Sequence, residues 1–359
     1  YQMSIGKLMR AAALCVGIAL LTLAPGIGAG AARAGLETWA GALIPSLFPY
    51  CFMAIALQQT AGRTIGAHLG WLMRPFGCPA EGVGAFICGW LGGNLAGAKL
   101  TAMCAGEGRM SRGQCLRLGW LCTVCSPAFA LGVLESAWPR CGWVLLISSW
   151  LGTLLGSLIL RRAGGDEPVN ANHIEQVNAL MPAAEAARAM LTVGCYVVLM
   201  SVLSAYMYWA ALLFMPEINP IVPAALHAGL EMAGGSLTLC ELRGAFVLPL
   251  ICFAITFGGL SISMQVLAFL RPFGISAWAY MGGKALQGVL AALICALFTR
   301  GEAVTASAIS TYSAGGFDIM SALPAIIAVI LGAIALLLNK RYIEYENADD
   351  AERARANAH

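Results

Sequence analysis

Apolar residues in this chain come in long runs that charged residues do not interrupt. The clearest runs cover 11–32, 38–62, 141–160, 189–216, 244–270 and 319–339, with shorter ones at 82–98, 118–134 and 285–299. A bilayer core about 30 Å thick takes roughly 20 apolar residues per spanning helix, so the pattern predicts about eight to ten membrane-embedded segments. The runs are continuous and rich in Leu, Ala and Gly, whereas strands of a membrane barrel alternate between two faces over about ten positions. The expectation is an all-α, polytopic integral membrane protein, because helices satisfy their own backbone groups where lipid offers none.

Polar positions then divide the chain. The most polar internal stretch, 161–188, separates two apolar halves of similar length and reads as the central loop of a duplicated protein. The organisation expected is an N-terminal transmembrane helix over 1–34, a first repeat-like half over 35–160, the loop, and a second half over 189–300. A loop and last transmembrane helix over 301–339 and a polar tail over 340–359 follow. Gly84-Ala85-Phe86 returns as Gly244-Ala245-Phe246, and each precedes an apolar stretch cut by a glycine pair, Gly92-Gly93 or Gly258-Gly259. Seven residues past the first glycine of each pair stands a long polar side chain, Lys99 or Gln265. Gln59 to Gly62 echoes Glu231 to Gly234 at another offset, and Arg-Pro-Phe-Gly at Arg74 and Arg271 fits neither register and reads as a chance match.

Lys7 and Arg10 before the first run suit a signal peptide or a first transmembrane helix, and the length of the run favours a retained helix. Cytoplasmic loops are enriched in Lys and Arg, which places Lys7 and Arg10 at one end and Lys340 and Arg341 at the other on the cytoplasmic side. Arg161 and Arg162 conflict with a simple inverted repeat, so the parity of the two halves stays open.

Composition sharpens this reading. The 359 residues are 59% hydrophobic and 11% charged, with mean hydropathy +0.77, against about a quarter charged in a soluble domain. The net charge of +3 is dispersed, without a basic cluster to track a phosphate backbone, so nucleic acid is not an expected partner. The 13 cysteines lie mostly in apolar runs, as small hydrophobes do. Cys122 and Cys125 form a lone C-x-x-C without a second pair or a nearby histidine, so no metal site and no cofactor is expected. No nucleophile elbow, phosphate loop or metalloprotease motif occurs, and the expectation is a protein that is not an enzyme.

Candidate chemistry lies where apolar helices must break, since freed backbone groups at membrane depth are satisfied only by protein or an aqueous cavity. Two such places are Gly92 to Lys99 and Phe257 to Gln265. Paired discontinuous helices in transporters aim half-helix N-termini at an anionic group of the solute; close packing of small residues is the alternative, and Gly93 with Gly97 has that spacing. Ser126-Pro127 adds a third break, because proline removes a backbone donor. Ionisable residues inside apolar runs are costly and mark function by default. Lys99 would neutralise a carboxylate of the solute, or snorkel to the interface. Glu231 would bind a coupling proton or cation, or end a helix; Lys284, between Gly282-Gly283 and Gln287, would serve the second half as Lys99 serves the first.

At these residues the chain resembles the YlbJ-type sporulation integral membrane proteins, the SpoVV-like dipicolinate transporters with a nucleoside-recognition (Gate) domain. The resemblance rests on Pro45-Ser46-Leu47-Phe48-Pro49, Gly84-Ala85-Phe86, the Gly92 to Lys99 stretch, Ser126-Pro127-Ala128-Phe129, and Phe257 to Ser261 with Gln265. It covers most of 35–300 in order, although Thr123-Val124-Cys125 stands where the family tends to carry asparagines. The resemblance implies a fold distantly like that of concentrative nucleoside transporters, with two re-entrant hairpins, in the bacterial cell membrane and specifically the outer forespore membrane. It also implies transport of a small anion, dipicolinate, held by Asn94, Lys99, Ser126, Ser261, Ser263 and Gln265. A nucleoside transporter of the same fold and a non-transporting sporulation scaffold are the alternatives. With no nucleotide-binding segment, a gradient, a coupling ion or proton, or a separate partner must drive movement; related architectures often form homo-oligomers.

Overall fold

Proline and glycine, more than hydropathy, cut this chain into its helices. The computed structural model describes residues 5–106, 108, 110–165, 167–168, 182–214, 219–242 and 246–299. The last predicted transmembrane helix and the polar tail, with the rest of 300–359, lie outside them.

The first apolar run folds as two helices, α1 (Ile5–Leu23) and α2 (Pro25–Thr38), bent by 102° about Ala24. Pro25 cannot donate a backbone hydrogen bond, so it starts a helix and does not continue one. A five-residue π-helical turn leads into α3 (Ile44–Leu69). Four shorter elements follow: α4 (Val83–Gly92), α5 (Asn94–Gly106), α6 (Arg112–Cys122) and α7 (Ala128–Ala137), the last mostly π-helical. Then come α8 (Gly142–Ile159) and the long α9 (Pro182–Phe214). The second half continues with α10 (Ile221–Leu230), α11 (Met232–Leu242), α12 (Val247–Phe257), α13 (Gly259–Leu270) and α14 (Ala277–Thr299).

Among the described residues four helical runs are long and apolar enough to cross a membrane, and a fifth results if the bent α1–α2 pair counts as one span. The other apolar segments form shorter helices meeting at breaks. Among these residues no β-strand forms; one isolated bridge joins Ser111 and Pro168. The chain is a polytopic α-helical membrane protein. Its outer faces carry exposed leucines such as Leu155, Leu191, Leu199, Leu293 and Leu297, as lipid-facing surfaces do.

Because lipid tails are as apolar as leucine, helix association in a membrane depends on close packing of small residues. Gly152 of α8 lies against Ala291 of α14: a Cβ added there would stand 2.6 Å from the Ala291 Cα. Gly89 of α4 packs on Gly97 of α5, and Gly235 of α11 on Ala228 of α10, so these pairs are tight hairpins.

The two Arg-Pro-Phe-Gly tetrapeptides are not idle coincidences. Each forms a 3₁₀ turn closed by a left-handed glycine, Gly77 (φ 65°) and Gly274 (φ 78°), the form in which helices commonly stop. The beginning of the predicted 161–188 loop is tied down as well: Arg117 donates to the carbonyls of Gly77 (2.9 Å) and Ala163 (2.7 Å). Its end is helical, since α9 begins at Pro182.

Candidate functional site

Besides the bend at Ala24, four interruptions of helix stand out among the described residues, and their geometry follows from the residues at each. At the first, Gly93 has φ 83° and ψ −172°, a conformation essentially restricted to glycine. It separates α4 from α5. A Cβ added at Gly93 would stand 3.0 Å from Ser126 Cβ, so the first break touches the second.

The second is the extended stretch from Thr123 to Ser126 between α6 and α7. Ending a helix in the interior strands its last carbonyls, and each of several receives a side-chain donor from a neighbouring helix. Gln287 Nε2 donates to Trp120 O (3.3 Å), Trp90 Nε1 to Leu121 O (2.9 Å), Lys284 Nζ to Thr123 O (2.6 Å) and Trp150 Nε1 to Cys125 O (3.2 Å). Thr123 Oγ1 also shares a hydrogen bond with Tyr280 Oη at 2.9 Å. The unwound backbone is thus held open by design of its surroundings.

At the third break Glu231 is extended (φ −130°, ψ 111°) between α10 and α11. Its carboxylate caps α11, accepting N–H groups of Ala233 (2.9 Å) and Gly234 (2.5 Å), and the residue is only 3% exposed. The fourth break is Gly258-Gly259, both with positive φ (85° and 68°), between α12 and α13.

The first three breaks meet α13 at one cleft, with about 610 Å³ of empty space when the solvent at its open mouth is counted. Gly92, Gly93 and Asn94 come from the first, Cys125 and Ser126 from the second, Glu231 and Ala233 from the third, and Ile262 and Gln265 from α13. Apolar walls are supplied by α3, α7 and α9, including Leu47, Phe129 and Val193. Asn94 Oδ1 is buried with no hydrogen-bond partner among the described residues.

Of the residues singled out from the sequence, Gly92, Gly93, Asn94, Ser126, Glu231 and Gln265 line this cavity; Lys99, Pro127, Ser261, Ser263, Gly258, Gly259 and Lys284 do not. Lys99 corrects an expectation. Its ammonium pairs with Glu185 Oε2 at 2.6 Å, in the first turn of α9, and sits 5.6 Å above the Phe269 ring, so its charge is already compensated by the protein. Lys284 is likewise no counterpart to it: the ammonium is committed to Thr123 O, at the negative end of α6. Ser261 accepts Gln265 Nε2 at 3.1 Å and so orients that amide, whereas Ser263 Oγ is buried without a partner among the described residues.

The echo that matched Gly92-Gly93 to Gly258-Gly259 also changes. In chain order each half runs long helix, broken pair, broken pair, long helix, and on that order Gly93 corresponds to Glu231, and 123–126 to Gly258. Gln59, set against Glu231 in the sequence echo, lies within α3. Sequence reasoning missed Glu185, Trp90, Trp150 and Gln287 as structural partners. The tryptophans carried a signal, because an indole N–H buried in an apolar run needs an acceptor.

No family profile matches the chain, and no solved structure matches it. Among curated proteins it is similar to the sporulation integral membrane protein YlbJ of Bacillus subtilis (strain 168), with 26% identity over 320 residues, covering 75% of this chain and 77% of the relative.

Proposed function

Given a polytopic membrane protein similar to a sporulation membrane protein, we propose that this chain carries a small polar solute across the membrane, binding it where the helix breaks meet. One observation carries the reading: three separate interruptions of helix open onto a single cavity. Broken helices at membrane depth supply backbone and side-chain polarity without exposing it to lipid. Phe129, Leu95 and Ile262 offer flat apolar surface for a ring, while Asn94, Ser126 and Gln265 offer neutral hydrogen bonds to its substituents.

Dipicolinate is the first solute to test, on the strength of the family resemblance and the relative's place in sporulation; the outer forespore membrane is the matching location. A nucleoside is the second reading, favoured by the amides of Asn94 and Gln265 beside the Glu231 carboxylate, a set that suits neutral hydroxyl and amide edges. The experiment is flux into proteoliposomes with labelled dipicolinate and labelled uridine, for the parent protein and for Asn94→Ala and Gln265→Ala. Saturable dipicolinate flux, reduced at least about 10-fold in both variants, is expected, as loss of a buried hydrogen bond of 1.5 kcal/mol or so would give. Uridine flux instead selects the second reading. Folded protein that moves neither solute counts against transport of both and favours a scaffold.

A further inference from the structure

Lys284 stands inside α14, a helix long and apolar enough to cross a membrane, and is fully buried. Among the described residues no carboxylate pairs with it; the ion pairs there join Arg33 to Glu37, Lys99 to Glu185 and Arg112 to Glu167. Its hydrogen bond goes to Thr123 O at 2.6 Å, at the C-cap of α6, where the negative end of the helix dipole favours a cation. A carbonyl and a dipole offset only part of the cost of burying a charge.

Holding that carbonyl needs no charge. The freed carbonyls on either side, those of Trp120, Leu121 and Cys125, are held by neutral N–H groups of Gln287, Trp90 and Trp150. The Thr123 hydroxyl is held by Tyr280, one turn before Lys284 in α14. A neutral donor would serve at 284 as well; what the lysine adds is a positive charge. Two residues of extended chain, about 7 Å, separate Thr123 from Cys125, which lines the cavity and lies within electrostatic reach of the Lys284 ammonium. Lys284 does not itself line the cavity, so it acts on a solute through its field and not by contact. Among the described residues that do line the cavity only Glu231 is charged, and a carboxylate there repels an anion. Unit charges about 8 Å apart, at an effective dielectric constant of about 20, interact by enough to change binding about 30-fold.

We infer that Lys284 is the specificity-determining charge of the cavity: held off the solute behind the second break, its ammonium offsets Glu231 and favours a carboxylate-bearing solute over an uncharged one of the same shape. The inference rests on reading the cavity as the solute's site.

The test is equilibrium binding to the purified full chain in detergent, at fixed pH and ionic strength, of two probes of one shape: dipicolinate and its uncharged diamide. The parent is expected to bind the dianion at least about 10-fold more tightly. Lys284→Gln, which keeps a neutral donor toward Thr123 O, is expected to weaken the dianion at least about 10-fold and the diamide by less than about 2-fold. Lys284→Arg, which keeps the charge, is expected to retain the preference. Equal weakening of both probes in Lys284→Gln makes the lysine a structural support and overturns the inference, as does an unchanged preference. Should Lys284→Gln fail to fold, the parent's own preference decides: dianion over diamide supports the charge, and equal or reversed binding overturns it. The expected preference without flux into proteoliposomes supports the inference and counts against the transport reading; flux of uridine or the diamide without preference for the dianion does the reverse. Binding of neither probe overturns the inference, and uridine flux then decides the transport reading separately.

Discussion

An ammonium 2.6 Å from a carboxylate, with both side chains largely buried, costs more to orphan than to remove as a pair, because the survivor is left charged in a poor solvent. Lys99→Ala is therefore expected to destabilise the protein by about 3–5 kcal/mol through unpaired Glu185, and the Lys99→Ala/Glu185→Ala double variant by clearly less. Thermal unfolding of the two single variants and the double measures this. The same double variant is expected to retain solute flux, since neither residue lines the cavity; loss of flux at normal stability would return Lys99 to the solute. At this scale the sequence located a buried lysine that needed an anion. It gave no sign that the anion would be Glu185, because 161–188 reads as a solvated loop and the pair forms only when the first turn of α9 reaches α5.

Among the elements, the α4–α5 hairpin depends on two glycines for different reasons. Gly93 is required by its torsion angles, and Gly97 by space, since a Cβ there would overlap the Cys122 carbonyl. Gly93→Ala should cost about 1–3 kcal/mol from strain at positive φ. It should also reduce flux sharply by turning Asn94 away from the cavity, readable as a lowered Tm together with a loss of transport. The glycine pairs announced these breaks in the sequence. The break at Glu231 had no such announcement: a lone acid in an apolar run reads equally as a ligand or a helix end, and the structure makes it an N-cap that also lines the cavity. The four side chains that hold the unwound 123–126 stretch come from α4, α8 and α14, far along the chain, so no local pattern reveals them.

For the whole molecule, a cavity shared by three breaks implies one aqueous approach. With the exposed native cysteines and the cavity-lining Cys51 and Cys125 replaced, a membrane-impermeant maleimide should label Asn94→Cys and Gln265→Cys from the same side of sealed proteoliposomes. It should leave Ser263→Cys unlabelled, because Ser263 is fully buried off the cavity. Labelling of the first two from opposite sides would show that they do not share one approach.

The sequence by itself determined that the chain lives in a bilayer, that it is helical, and that its polar chemistry lies at interrupted helices. Those properties follow from hydropathy and from the backbone limits of glycine and proline, which act over a few residues. Only the tertiary structure decided which polar residues share a space. It paired Lys99 with Glu185, gave Lys284 to the Thr123 carbonyl, and set Glu231 in one cavity with Asn94 and Gln265. In a low-dielectric interior each charge and each freed carbonyl must find a partner, and which partner is nearest is fixed by helix packing between residues distant in the chain.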